Sequence, residues 1–384
     1  MISAVYFMLL GISVLVYWLL PSQFLRNGAL IIISFSFIYL MDKKSVFVVI
    51  GLTMFSYLAG QWIARSSKRG AVHALCIAAL LVVLILFKYL GLLTSVVNGL
   101  LSFFRQLPQF HITKLLLPLG ISYIVFKHIS YLTDVKWGLI EPGRLYEFLL
   151  YSSLFTIFIA GPIERFERFK PNIAEMRVRF QWKDMEYGFM RIVVGLFKKL
   201  VLADWLGYFI NTAWLSPGRY GPTTSVLGII GFSFQIYFDF AGYSDIAIGA
   251  SRLLGIHIME NFNNPYLASD IGQFWRRWHI SLSDWIRDYI FFPISKWNTS
   301  KFWRKICVPV IAMALCGLWH GPAFHFLLWG IWHGLGLAML QLWNEYKRKH
   351  STVARLAKMP WFNLASMAMT FFYVTIGWFW FRGI

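Results

Sequence analysis

The stretch LCGLWHGPAFHFLLWGIWHGLG, residues 315–336, sets His320, His325 and His333 in a run that otherwise reads as a membrane helix. Imidazole is the side chain whose ordinary pKa suits proton transfer near neutral pH. Buried and uncharged, it can take the proton of a hydroxyl as that oxygen attacks an activated acyl carbon. Gly321 and Pro322 follow His320 directly. Glycine permits unusual dihedrals and proline removes a backbone donor, so the helix breaks there and His320 is expected beside free backbone groups in a cavity. His320 is therefore the first catalytic candidate, with Trp319 beside it as a substrate contact. His325 and His333 are expected to be structural.

His279 is the second catalytic candidate, within IGQFWRRWHISLSDWIRDYIFFPI at 271–294. On a 3.6-residue period Phe274, Trp278, Leu282, Trp285 and Tyr289 share one side, and Arg277, Ser281, Asp284 and Asp288 another, which predicts one amphipathic helix lying along the membrane. At helical spacing His279 looks toward Arg276 and Ser283. Arg276 and Arg277 are candidates for holding phosphate or carboxylate groups, with anchoring at the membrane surface as the plainer alternative.

Two carboxylates, Asp239 and Asp245, lie in the apolar stretch FQIYFDFAGYSD at 234–245. A carboxylate there is costly, so each should face the bundle interior and have a function or a fixed partner. Substrate binding and a hydrogen-bond anchor between helices are the two readings. Gly242 between them would let another backbone approach closely. In ENFNNPY, 260–266, Pro265 and the asparagines predict a chain reversal, with Asn261, Asn263 and Asn264 bonding neighbouring backbone as scaffold. Metal binding is the rival chemistry for the histidines. His320, His325 and His333 share no i, i+4 face, and neither HExxH nor a cysteine cluster accompanies them, so no metal site is expected.

The elements that must position these residues are membrane helices. The chain has 384 residues, 58% hydrophobic, 19% aromatic and 14% charged, too apolar for an ordinary soluble domain. Apolar runs at 2–20, 28–41, 45–63, 71–95, 145–163, 222–250 and 361–384 meet or approach the roughly 20 residues a bilayer requires. An all-α, polytopic membrane protein is predicted. The first run has no basic n-region and no small-residue cleavage site after it, so it reads as a retained helix with an outer N-terminus. Residues 1–110 look like scaffold helices. Residues 111–343 carry the Gly, Pro, Asp, His and Arg interruptions, tolerated at depth only inside protein or beside a wet cavity, and form the functional core with re-entrant and interfacial pieces. Residues 344–384 add a basic polar loop, NEYKRKHSTVARLAKMP, and a last helix.

Net charge is +19, with the positive residues in blocks between apolar runs: Arg65, Lys68 and Arg69, then Lys347, Arg348, Lys349, Arg355 and Lys358. Cytoplasmic loop bias and contact with anionic lipid account for this, and nucleic acid is not an expected partner. Lys43 and Lys44 form a smaller pair in what alternation makes an outer loop. Cys76, Cys307 and Cys316 read as small buried hydrophobes.

Four segments, in order, resemble the membrane-bound O-acyltransferase family in its bacterial branch that modifies cell-surface polymers: LPLGISYIVFKHISYLTDV at 117–135, AGPIERFERF at 160–169, FQIYFDFAGYSDIAIG through FWRRWHISLSDWIRDY at 234–289, and GLWHG at 317–321. The resemblance implies that His320, in the WHG motif, is catalytic and that His279, in RWH, is a second functional position. It implies a multi-helix bundle around a central passage, in the bacterial cytoplasmic membrane. The expected reaction carries an acyl group from a cytoplasmic thioester donor to hydroxyls of a surface polysaccharide. Acetyl-coenzyme A as co-substrate, no bound cofactor, and a separate extracytoplasmic acetyltransferase or polymer-modifying protein as partner are expected on the same ground. RRWHISLS and GYSDIAIG are closer in wording to the alginate O-acetylase group. SKWNTSKFWRK in place of a glycine-rich stretch departs from that group, and the shorter build, with an end at FRGI, is closer to the branch that passes D-alanine to teichoic acid. A proton-coupled transporter using intramembrane histidines and aspartates is the third reading, without an inverted repeat to favour it.

Overall fold

The computed structural model describes residues 4–103, 118–174, 179–215 and 222–383, and every regular element among them is helical. In chain order the α-helices are α1 Ala4–Leu19, α2 Gln23–Met41, α3 Lys43–Arg65, α4 Arg69–Phe103, α5 Ile121–Trp137, α6 Leu145–Ser153, α7 Phe166–Asn172, α8 Trp182–Leu196 and α9 Asp204–Leu215. They continue with α10 Pro222–Leu253, α11 Ile271–Trp275, α12 Ile280–Ile286, α13 Phe292–Ser295, α14 Val308–His320, α15 Phe324–Lys349, α16 Ser351–Leu356 and α17 Pro360–Arg382. Among the described residues six helices are long and apolar enough to cross a membrane: α2, α3, α4 over Arg69–Asn98, α10 over Val226–Leu253, α15 and α17. The protein is a polytopic, all-α membrane protein.

The chain forms two compact units, residues 1–190 with 247–258, and residues 191–246 with 259–384. Contacts therefore divide the chain differently from its three zones of sequence texture. The zone limit at 110/111 lies outside the described residues, and the limit at 343/344 falls within α15.

In the first unit an aromatic core of Tyr131, Phe148, Tyr151 and Phe166 ties α5, α6 and α7 together, with Tyr131 and Phe148 ring centroids 4.4 Å apart. The apolar run 145–163, whose length predicts a span, does not form a spanning helix. α6 ends at Ser153 after 9 residues. The turns that follow are buried in protein, where the Phe155 N–H donates to Ser34 Oγ at 3.2 Å. Irregular backbone survives at such a place only with protein partners of this kind. His128 on α5 is a buried imidazole with both nitrogens engaged, Nδ1 with Ser56 Oγ at 3.0 Å and Nε2 with Ser152 Oγ at 2.9 Å.

In the second unit α14 and α15 form a tight hairpin. A Cβ on Gly334 would stand 2.6 Å from Val310 Cα and 3.0 Å from Pro309 O, so only the absence of a side chain permits this approach. The expected basic loop after residue 343 is largely helical, because α15 runs through Lys349 and α16 resumes at Ser351. Its lysines and arginines thus close a helix C-terminus, where cations are favoured.

Candidate active site

The segment 271–294 is not one amphipathic helix. α11 stops at Trp275, and α12 starts only at Ile280. His279 between them takes φ 42° and ψ 55°, a left-handed conformation that a residue with a Cβ adopts at a cost and keeps only when its surroundings enforce it. The enforcing contacts can be named. The Ile280 N–H donates to Asn261 O at 2.9 Å, the Asn263 N–H to Arg277 O at 2.9 Å, and the Leu282 and Ser283 N–H groups both to His279 O at 3.0 Å. The periodic apolar side is real but faces protein: Phe274, Trp278, Leu282 and Trp285 are all buried.

This geometry changes the surroundings of His279. Instead of looking toward Arg276 and Ser283, its ring is buried with Nδ1 3.0 Å from Asn261 Oδ1. The Ser281 backbone N–H, which can only donate, reaches Asn261 Oδ1 at 3.4 Å and so sets the amide with Oδ1 toward the imidazole, while Nδ2 donates to Ser244 Oγ at 3.1 Å. Ser281 Oγ donates to the same Oδ1 at 2.9 Å. An oxygen in that position requires a donor at Nδ1, so the proton sits on Nδ1 and the lone pair on Nε2. Nε2 is itself buried, with no hydrogen-bond partner among the described residues. His279 lies outside the six candidate spans. Burial pushes it well below the ordinary histidine range, and the neighbouring His320 adds to the shift.

His320 is the last residue of α14. Gly321 follows with extended backbone, φ −177°, and α15 begins at Phe324, so the break predicted after His320 is present. The imidazole stands among aromatic rings: Trp319 at 4.8 Å, Phe381 at 5.0 Å, Trp329 at 5.1 Å and Phe326 at 6.2 Å between centroids. Trp319 also lies 6.4 Å from the His279 ring, and Phe240 meets His279 edge-on at 4.6 Å. The structure thus brings His279, Trp319 and His320 together.

Both aspartates are engaged by cations. Asp245 is held by Arg191 Nε at 2.6 Å and Lys198 Nζ at 2.7 Å, while Arg191 also pairs with Glu260. Asp239 is half-exposed and pairs with Lys199 Nζ at 2.6 Å. Gly242 lies between them where α8 and α10 touch, and a Cβ on it would stand 2.7 Å from Gly195 O. Arg277 donates through Nη1 to Leu267 O at 3.1 Å, and Arg276 is exposed. His325 Nδ1 lies 3.1 Å from Trp380 O, and His333 is fully buried among aromatic rings. Among the described residues no group of three or more His, Cys, Asp or Glu is placed to hold a metal ion.

Asn261, Ser244 and Ser281 were not picked out by type and spacing. Type and spacing place Asn261 as scaffold bonding neighbouring backbone; its side chain instead meets the His279 imidazole and accepts the distant Ser281 N–H. The signal was a small polar residue at each of three separate places whose meeting only the fold supplies.

A sequence model of the membrane-bound O-acyltransferase family matches residues 138–380. Among relatives, a probable alginate O-acetylase of Pseudomonas aeruginosa is 34% identical, covering 98% of this chain and 70% of its own. A teichoic acid D-alanyltransferase of Bacillus subtilis is 30% identical over 99% of this chain and 97% of its own. A peptidoglycan O-acetyltransferase of Helicobacter pylori is 29% identical over 75% of this chain and 62% of its own. The paired histidines thus lie within a matched family region, and the chain belongs to the membrane-bound O-acyltransferase family and is an O-acyltransferase.

Proposed function

We propose that this enzyme sits in the bacterial cytoplasmic membrane and moves an acetyl group from acetyl-coenzyme A toward hydroxyls of a surface polysaccharide. An extracytoplasmic acetyltransferase would be its partner. The relatives named as O-acetylases support the acetyl group. The match over nearly the whole length of a D-alanyltransferase supports a second reading, in which D-alanine is moved to teichoic acid.

The mechanism rests on one observation: His279 Nε2 is buried and has no hydrogen-bond partner among the described residues, while Nδ1 is held by Asn261. The sequence points to His320 as base; the fixed tautomer supports giving the proton-accepting step to His279. The acceptor oxygen attacks the thioester carbonyl carbon, forming the C–O bond as its proton passes to Nε2. Collapse breaks the C–S bond, and the departing thiolate takes that proton, restoring neutral imidazole. His320 donates an N–H to the carbonyl oxygen as negative charge gathers there. Trp319 and Phe240 flank His279 and limit water.

The test is acyl turnover by purified protein in detergent with labelled acetyl-coenzyme A, and in parallel with a D-alanyl thioester. Turnover without a gradient separates the enzyme from a transporter, and the preferred thioester separates the two acyl groups. His279→Ala and His320→Ala should each abolish turnover while the protein still inserts. Unchanged turnover in either variant removes that histidine from the mechanism.

A further inference from the structure

In the first unit, α3 near its C-terminal end, the turn before α6, and the chain at the end of α7 enclose a recess of 810 Å³. Arg65, Arg144 and Lys170 line it together with Gln61, Tyr146 and Glu147. The one carboxylate is already committed. Glu147 accepts the Arg144 N–H at 2.8 Å and lies 3.8 Å from Lys170 Nζ. Arg65 and Arg144 are exposed, and their guanidinium groups have neither a hydrogen bond nor an ion pair among the described residues. Two unengaged forks of N–H donors in one concavity match phosphate oxygens, which guanidinium binds in bidentate fashion.

The recess also opens where phosphate of a particular origin is found. α3 is a candidate membrane span, and its residues leading to the recess face outward, with Leu58 59% and Trp62 53% exposed. Trp62 is the kind of residue that sits at headgroup level. Arg65 belongs to the basic block with Lys68 and Arg69, which the positive-inside bias assigns to the cytoplasmic face. Basic pockets between membrane helices on that face bind anionic headgroups.

We propose that this recess binds the phosphate of an anionic phospholipid from the cytoplasmic leaflet, with Arg65 and Arg144 as its ligands and the lipid tail running along the outer face of α3. The site uses neither His279 nor His320, so it stands or falls independently of the acyl-transfer mechanism.

The test is native mass spectrometry of the full chain purified with phosphatidylglycerol, phosphatidylcholine, or both. Wild type should retain phosphatidylglycerol in preference to phosphatidylcholine. Arg65→Gln with Arg144→Gln should weaken retention about thirty-fold, the effect of removing two interfacial charges. Arg65→Lys with Arg144→Lys keeps the charge but not the fork and should hold the lipid between wild type and the double glutamine variant, whereas Lys347→Gln with Arg348→Gln in the other basic block should keep most of it. Equal retention by the double glutamine variant would overturn the proposal. So would release of the lipid from wild type by millimolar inorganic phosphate or acetyl-coenzyme A, because the ligand would then come from water.

Discussion

Asn261 Oδ1 lies 3.0 Å from His279 Nδ1, and its amide is held in that sense by the Ser281 N–H at 3.4 Å. One side chain therefore decides which imidazole nitrogen carries the proton, while its backbone carbonyl holds the next residue at 2.9 Å. Asn261→Leu should keep much of the volume but lose both the acceptor and the tautomer preference. Turnover should fall about 100-fold, within the usual contribution of positioned acid–base catalysis, with KM for the thioester little changed. Steady-state kinetics in detergent check this. Wild-type turnover in the leucine variant would remove Asn261 from the positioning of His279.

The same contact predicts a pH dependence. Burial first, and His320 second, hold His279 below the ordinary histidine range, so it stays neutral as pH falls through about 6.5, where the unfolded residue takes up its proton. The base is then available below that pH, and the acid limb of kcat/KM should lie there. Stability runs with the opposite consequence: the unfolded chain binds the proton first, so the contribution of neutral His279 is present above about 6.5 and is lost as pH falls further. Asn261→Asp places a carboxylate beside Nδ1, favours imidazolium, and should move the acid limb upward by about 1 unit or more. A limb that stays in place in the aspartate variant would separate the pH profile from His279.

The two aspartates of α10 should behave differently. Asp245 is buried and joins two cations, so Asp245→Asn takes this partner from Lys198 and leaves Arg191 with Glu260 alone, and should destabilise the protein by about 3 kcal/mol. Asp239 pairs with Lys199 in a half-exposed setting, where such a pair contributes about 0–1 kcal/mol. Asp239→Asn should therefore change neither melting temperature nor turnover. Thermal unfolding in detergent measures the melting of both variants, and the acyl-transfer assay their turnover. A loss of turnover in Asp239→Asn with unchanged melting would instead make Asp239 a substrate contact.

The helical architecture was legible because each long apolar run states its own length and because breaks are written in Gly, Pro and turn residues: the interruption after His320 follows from Gly321 and Pro322 alone. The periodicity of 271–294 was misleading for a physical reason. A buried helix pair and a single amphipathic helix put apolar residues at the same spacing, and the positive φ of His279 that divides them is enforced by Asn261, 18 positions earlier. The apolar run 145–163 failed likewise, since a buried turn supported by Ser34 is as hydrophobic as a membrane helix. Candidate histidines could be read locally; the residues that orient them could not, because Ser244, Asn261 and Ser281 meet only after the chain reverses.

The hairpin that carries His320 offers the last test. Gly334 on α15 touches the α14 backbone at Val310 and Pro309, at the opposite end of α14 from His320. Any side chain there must push the helices apart, and rigid packing transmits such a shift along the helix. Gly334→Leu should cost about 1–3 kcal/mol through overpacking and lower turnover as well, by displacing the end of α14. Gly51→Ala on α3 is the matched control, because nothing lies within 4 Å of the added carbon and alanine is the better helix former. It should leave turnover unchanged and melting equal or slightly higher. If Gly334→Leu melts and turns over like wild type, the close approach of α14 and α15 is not what holds His320 in place.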